Sequence, residues 1–347
     1  MKVKRKLLIS GGMLLAAALM LTGCGSQKNR LMFGTGGTAG TYYSYGGIIA
    51  QYITTNTDNK VTAVSTGGSK VNIQSIQDGD FQLGFTQSDV MAYAWEGTKS
   101  FAKDGPTTDF RVLGGLYAET VQLFTMDDDI TSVEDLKGKS VSIGEAGSGV
   151  YFNAIDILEA AGITLDDIHP QYQSFEDSKE SLKDGKIDAA FIVAGAPTTA
   201  ITELATTNGV NLINIDGELR DKILASCPYY APLQIPADTY PKQSEPIETI
   251  TVKATVVVDA DLPEQEVYDM TAAIFDHAED IAKENAKGKE LTLENATQGM
   301  AAPFHAGAAR YYAEHGITVA TDENFSAGES VTEAAEAATE SGTEVAE

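Results

Sequence analysis

Short apolar runs alternate along this chain with stretches in which apolar residues recur every three or four positions. The runs Leu31 to Phe33, Val61 to Ser65, Phe81 to Phe85, Val141 to Ile143 and Ile187 to Phe191 have the length and bounding turn residues of buried strands. Helical patterns lie between them. Ile48, Ile49, Tyr52 and Ile53 share one face after the first run, and Val71, Ile73 and Ile76 share one after the second. Ser132-Val-Glu-Asp reads as a capping box for a short helix ending at Gly138, and Val150 to Ala161 as a helix stopped by Gly162. Phe110 to Tyr117 with Val121 to Thr125, and later Thr251 to Val258, are longer β-branched and aromatic runs that could cross from one body to another. Pro263 opens a helix with Val267, Met270, Ile274, Ala278 and Ile281 on one face, whereas the five prolines from Pro228 to Pro246 predict a loop.

The pattern repeats itself. Ser75-Ile-Gln-Asp-Gly-Asp-Phe-Gln-Leu-Gly-Phe85 matches Ser181-Leu-Lys-Asp-Gly-Lys-Ile-Asp-Ala-Ala-Phe191, each a helix end, an Asp-Gly turn and a strand. Gly34-Thr-Gly-Gly-Thr-Ala-Gly-Thr-Tyr matches Gly144-Glu-Ala-Gly-Ser-Gly-Val-Tyr, each a glycine loop between a strand and an amphipathic helix. Each half therefore reads as parallel α/β units, in which ligands gather at the carboxyl ends of strands. The expectation is an α/β, two-lobed fold of the type II periplasmic-binding kind, with two strand crossings at the hinge. Its parts are a first lobe over 31–119, a second over 120–255, a return to the first over 256–326, and an acidic tail over 327–347.

The ends add a location. Met-Lys-Val-Lys-Arg-Lys, an apolar stretch from Leu7 to Leu21, and Leu21-Thr-Gly-Cys24 make residues 1–23 a secretory signal, too short for a stop-transfer helix. Leu-Thr-Gly-Cys resembles a bacterial lipobox, so Cys24 is the expected lipidation site and 24–30 a tether; two or more acyl chains anchor stably. Cys227 is then alone and no intramolecular disulfide forms. Losing the four cations of the signal takes the net charge from −26 to −30, a surface that repels nucleic acid and anionic lipid. The tail carries six glutamates and no basic residue, a composition that favours disorder.

The chemistry points to a cleft that holds an anion. Gly36, Gly37, Gly40 and Thr41 could donate backbone N–H groups at a helix N-terminus, with the Thr35 and Thr41 hydroxyls beside them and Tyr42 as a wall. Thr66, Gly67, Gly68 and Ser69 form a second cradle, and Gln87 and Ser88 end a buried strand where a polar group needs a partner. Asp89 is expected to cap the next helix. From the other half come Ala146, Gly147, Ser148 and Gly149, then Gly195 and Ala196, which leave space; Glu145 could pair with a ligand ammonium if it faces the cleft.

These motifs together resemble the TAXI family of solute-binding receptors of TRAP (tripartite, ATP-independent, periplasmic) transporters. Gly34 to Tyr43, Ser65-Thr-Gly-Gly-Ser69 and Phe85-Thr-Gln-Ser-Asp-Val90 carry the resemblance. So do Asp135-Leu-Lys-Gly-Lys-Ser-Val141, Phe191-Ile-Val-Ala-Gly-Ala-Pro197 and His305-Ala-Gly-Ala-Ala-Arg-Tyr-Tyr312, over about residues 30 to 318. The resemblance implies a monomeric receptor that captures a small carboxylate, glutamate-like or dicarboxylate, and delivers it to small and large permease subunits driven by an ion gradient. No arginine stands in a glycine loop, since Arg111 begins a strand and Arg310 lies in a late helix, so backbone and hydroxyl donors would hold the anion.

An enzyme fits less well. Gly34-x-Gly36-x-x-Ala39 meets a dinucleotide fingerprint, but Asp58 precedes the next strand instead of ending it. Gly147-Ser148-Gly149 lacks a nucleophile elbow. His169, His277, His305 and His315 are scattered and read as lone surface histidines, and no metal-ligand spacing occurs. The reading is a lipid-anchored receptor on the outer face of the cell membrane, with no cofactor and no covalent chemistry. An ABC-importer receptor is the alternative within the fold, and a secreted enzyme on the same scaffold is the alternative from another class.

Overall fold

A computed structural model describes residues 29–326. The signal, Cys24 and most of the tether, and the acidic tail lie outside the described residues. The chain runs β1 (Asn29–Gly34), α1 (Thr41–Asn56), β2 (Asn59–Val64), α2 (Ser69–Gln77), β3 (Leu83–Gln87), α3 (Ser88–Glu96) and the long β4 (Phe110–Thr125). It continues with β5 (Ser140–Ser142), α4 (Gly149–Ala160), β6 (His169–Gln171), α5 (Phe175–Lys183), β7 (Ala189–Ala194), α6 (Thr199–Thr207), β8 (Asn211–Ile213), α7 (Gly217–Ser226) and β9 (Ala231–Ile235). The long β10 (Ile247–Asp259) leads to α8 (Glu264–Phe275), α9 (Ala278–Glu284), α10 (Leu293–Thr297) and α11 (Ala306–Glu314).

The internal repeat is real in the topology. The strand order is β2-β1-β3-β10-β4-β7-β5-β6, so the first strand of each half sits between the second and third. β1 pairs in parallel with β2 and β3, and β5 pairs in parallel with β6 and β7. The two long strands run antiparallel to each other in the middle, joining β3 on one side to β7 on the other. Gly79 and Gly185, at matching places in the repeat, both take the left-handed conformation that lets a helix turn back into a strand.

The core divides where the long strands cross. Leu116, Tyr117 and Ala254 belong to the apolar cluster of the first body, with Ile49, Phe85, Ile274 and Tyr312. Val121 and Val252 belong to that of the second, with Val141, Ile157 and Phe191. A further cluster covers the opposite face of β7, through Ala190, Ile192 and Ala194. A strand covered on both faces reads as a continuous apolar run, as β7 does in sequence.

Three expectations change. The proline-rich segment contains β9, which among the described strands pairs with β10 alone and so places Pro232 on an edge strand, where proline is tolerated. The helix after Pro263 is two, broken at Asp276 and His277; the apolar periodicity continues across the break because Ile274 and Ile281 pack on the same core. His305 is no surface histidine: it is 5% exposed and its Nδ1 caps α11 by accepting from the Gly307 N–H at 3.1 Å.

Candidate functional site

The glycine loops after β1, β2 and β5 meet over one cavity between the two bodies. Asn72 ties the first two together. Its side chain has no exposure, its amide donates to Thr35 O at 2.7 Å and Phe85 O at 2.8 Å, and its oxygen accepts from the Thr66 hydroxyl at 2.7 Å. Gly40 and Gly68 stand as N-caps of α1 and α2 without a side-chain cap. The first N–H groups of a helix have no partner within it, so these two N-termini bring uncommitted donors and the positive ends of their dipoles to the cavity wall. Ser69 accepts from the Gln87 N–H at 3.2 Å and keeps its hydroxyl hydrogen to donate.

The second body closes the other side. Ser148 caps α4 by accepting from the Tyr151 N–H at 3.2 Å, and Gly149 beside it lies against Gln87. The Thr41 hydroxyl donates across the cleft to Gly195 O at 3.1 Å. Phe175, from the first turn of α5, lies against Gly40, where a Cβ would stand 3.1 Å from its ring. The enclosed space is about 50 Å³, measured as room for the centre of a water-sized sphere. That is several times the roughly 10–15 Å³ one water needs, so the closed site suits a compact solute.

The electrostatics are lopsided. Glu119, in the crossing strand β4, lines the cavity at 2% exposure, and its Oε1 has no hydrogen-bond partner. Burial pushes its carboxyl up to about 8. Glu145 is half-buried, and burial followed by repulsion from Asp177 raises its carboxyl. Gln87 Oε1 and Tyr42 Oη are also buried without partners. Neither a lysine nor an arginine lines the cavity among the described residues. One wall thus offers backbone donors, and the remainder offers carboxyl, amide and phenol oxygens, of which the Tyr42 hydroxyl can donate as well as accept.

The chain matches the NMT1-like family over residues 33–316, which takes in both bodies and every loop around the cavity. It belongs to that family. The NMT1-like chain has the fold of solved periplasmic binding proteins. It is similar to a protein of Bordetella bronchiseptica RB50 at 15% identity, with 91% of this chain and 98% of that one covered and a TM-score of 0.54. It is similar to a binding protein component of an ABC phosphonate transporter from Pseudomonas aeruginosa at 12% identity, with 76% and 80% covered and a TM-score of 0.50. It is also similar to the periplasmic aliphatic sulphonate-binding protein of Escherichia coli at 17% identity, with 83% of each chain covered and a TM-score of 0.42.

The NMT1-like protein brings together most of the residues singled out in its sequence. Gly36, Gly37, Gly40, Thr41 and Tyr42, then Gly67, Gly68 and Ser69, then Gln87, Glu145, Ser148 and Gly149 all line the cavity. The others stand behind or beside it. Thr35 donates its hydroxyl to Val64 O, and Thr66 serves Thr35 O and Asn72. Ser88 accepts from the Lys253 N–H and faces a different hollow beside β10. Ala146, Gly147 and Ala196 do not line the cavity, and Gly195 stands behind its lining, with its carbonyl bonded to Thr41 and its N–H directed at Glu119. Asp89 does not cap α3; it sits in the first turn and pairs with Asn153 of α4 at 2.8 Å. Arg111 and Arg310 pair with Asp322 and Glu264, away from the cavity.

Sequence reasoning missed Glu119, Gln173 and Phe175. The repeat held the signal for two of them: Gln173 and Phe175 follow β6 as Gly67 and Ser69 follow β2. For Glu119 the signal was a lone acid within the apolar run from Phe110 to Thr125.

Proposed function

We propose that this NMT1-like protein is an extracytoplasmic, non-enzymatic receptor that captures a small zwitterion, an α-amino acid, by closing two lobes over it and presents it to a membrane transporter. The lobes are residues 31–119 with 256–326, and 120–255. The observation that carries the ligand class is Glu119: a buried acid on the cavity wall with no ion-pair contact among the described residues, opposite two uncapped helix N-termini. The solute carboxylate meets the N–H groups of the first two loops, and its ammonium meets Glu119, with Gln87 Oε1 beside it. Hydrogen bonds to a charged group are worth about 1.5–3 kcal/mol each, so a few suffice for micromolar binding after closure costs. A dicarboxylate without an amine would place its second anion among Glu119 and Glu145, where the cation within reach, Lys287, is already paired with Glu290 at 2.8 Å, which argues against that half of the sequence expectation. Glutamate remains within the class because its α-amino group can satisfy Glu119.

The permease class has two supports of different kinds. The structural neighbour from Pseudomonas aeruginosa belongs to an ABC transporter, which favours an ATP-driven importer. The TAXI-like motifs favour a TRAP permease of small and large subunits. We place the ABC reading first, and solute uptake that survives collapse of the ion gradient but stops without ATP would distinguish it. Lipidation at Cys24 would hold the receptor at the outer face of the membrane.

The test of the ligand class is a thermal-shift comparison of L-glutamate and other α-amino acids with glutarate and succinate. Stabilisation by an amino acid at a hundred times its Kd is about 2.7 kcal/mol. Glutarate stabilising as strongly as L-glutamate would overturn the assignment to Glu119.

A further inference from the structure

Beside the solute cavity a second polar cluster bridges the two lobes. Asp89 and Tyr93 of α3 and Lys99 after it belong to the first lobe; Asn153 and Asp156 of α4, with Cys227, Tyr229 and Tyr230, belong to the second. Asp156 has its counter-ion, since Lys99 Nζ lies at 2.5 Å and Tyr230 Oη donates to its other oxygen at 3.1 Å. Asp89 has none. Its side chain has no exposure, its Oδ2 accepts from Asn153 Nδ2 at 2.8 Å, and its Oδ1 has no partner. Asn153 Nδ2 sends its other hydrogen to Tyr230 Oη at 2.7 Å, and Asn153 Oδ1 is likewise buried without a partner.

The two orphaned oxygens belong to the two residues that already share a bond. An ionised carboxylate and an amide oxygen are both acceptors and cannot satisfy each other. A protonated carboxyl can: it accepts from the amide N–H and donates to the amide oxygen, closing a ring of two hydrogen bonds. We propose that Asp89 and Asn153 form a proton-dependent latch between the lobes, so that closure takes up a proton and weakens as the pH rises. This rests on the lobe-closure reading of the function and does not depend on which solute is bound.

The surroundings agree. Tyr42, Tyr93, Tyr229, Tyr230 and the Cys227 thiol around Asp89 are all neutral, their ionisation pushed up chiefly by burial. Asp156 is the nearby anion and repels a second charge, while Lys99 is committed to Asp156. Burial, the largest influence, with Asp156 lifts the Asp89 carboxyl from the ordinary 3.8 to about 7 in the closed arrangement, against the Val90 and Asp89 backbone N–H groups and Asn153, which favour the anion. An acid whose closed-state value is raised binds protons more tightly when closed. The closure constant then falls by up to about tenfold per pH unit between the open and closed values, and levels off above the closed one.

The test uses the full chain without solute, following the closed fraction by small-angle X-ray scattering from pH 5 to 8.5. Asp89→Asn supplies a permanent N–H opposite Asn153 Oδ1 with nothing to titrate, and Asn153→Ala removes the partner from the other lobe. The wild type should open as the pH rises to about 7, and Asp89→Asn should stay closed across the range. The ratio of their closure constants should grow about tenfold per unit from pH 5 to 7. Asn153→Ala should be more open than the wild type at pH 5 and should lose most of its pH dependence. Far-UV circular dichroism confirms that each variant is folded. Identical pH profiles for the wild type and Asp89→Asn, sloping or flat, would overturn the latch. Failure of every amino acid to bind would instead overturn the ligand assignment and leave the scattering result standing.

Discussion

The side-chain amide of Gln87, at the end of β3, occupies the space that a Cβ on Gly149, at the start of α4, would need. The contact is with the tip of a flexible side chain, so a Cβ at position 149 fits only if the Gln87 amide swings out of its place on the cavity wall. Gly149→Ala should therefore displace the Gln87 amide from the site and weaken capture without unfolding either lobe. The expected result is at least a tenfold loss of amino-acid affinity by calorimetry with the melting temperature of the unliganded protein nearly unchanged. A binding constant equal to that of the wild type would refute the close approach as a requirement for capture.

Glu119 gives a prediction with a sign. Its carboxyl is raised from 4.5 to about 8 by burial, so the folded protein holds a proton that the unfolded chain gives up. Stability without solute should then fall as the pH rises from about 4.5 to about 8, by at most about 1.4 kcal/mol per unit from this group. Glu119→Gln should flatten that slope and raise the melting temperature at pH 8 relative to the wild type. The same variant should bind L-glutamate at least tenfold more weakly, and discriminate less against glutarate. Retained discrimination would move the ammonium contact elsewhere, with Glu145 the next residue to replace.

Asn72 holds two glycine loops to β3 through three hydrogen bonds and has no exposure. Replacing it by alanine removes the side-chain donor to Phe85 O and leaves Thr35 O to the Thr66 hydroxyl, so one lost buried bond sets a cost of about 1–3 kcal/mol. Asn72→Ala should lower the urea midpoint by a corresponding amount and weaken solute binding as well. Asn72→Asp should not rescue it, since a carboxylate offers no N–H to Thr35 O or Phe85 O. A stability within 0.5 kcal/mol of the wild type, the usual range for an unimportant surface position, would contradict this account.

Cys24 is outside the described residues, and its prediction rests on the sequence. Cys24→Ser should abolish incorporation of labelled palmitate and release the protein from the membrane fraction into the medium or periplasm, with the fold intact. Retention of the label in the variant would exclude lipidation at this residue.

The glycine loops, the repeated strand-helix units and the two crossing strands were legible because each depends on local chain chemistry. Turn glycines, helix periodicity and unbroken apolar runs need no knowledge of the rest of the molecule. The repeat forecast parallel strand-helix units in each half, and the matching strand order follows in the structure because two similar sequences bury their apolar faces in similar ways. Legibility ended where a residue's role depends on what comes to face it. Asp89 had the residue type and place of a helix cap, yet its carboxylate turns to Asn153, 64 positions along the chain. Glu119 was an unremarked acid within an apolar strand until the pairing of β4 with β10 and β7 put it at the cleft.

By itself, then, the sequence determined the elements, their duplication and a set of loops fit to hold an anion. Backbone donors at helix N-termini follow from where helices start, and that is a local matter. Only the tertiary structure decided which acceptors oppose those donors and which acids are buried away from water. Those depend on desolvation, and a carboxylate's solvation is set by residues far from it in sequence that exclude water only once the chain has folded and the lobes have met.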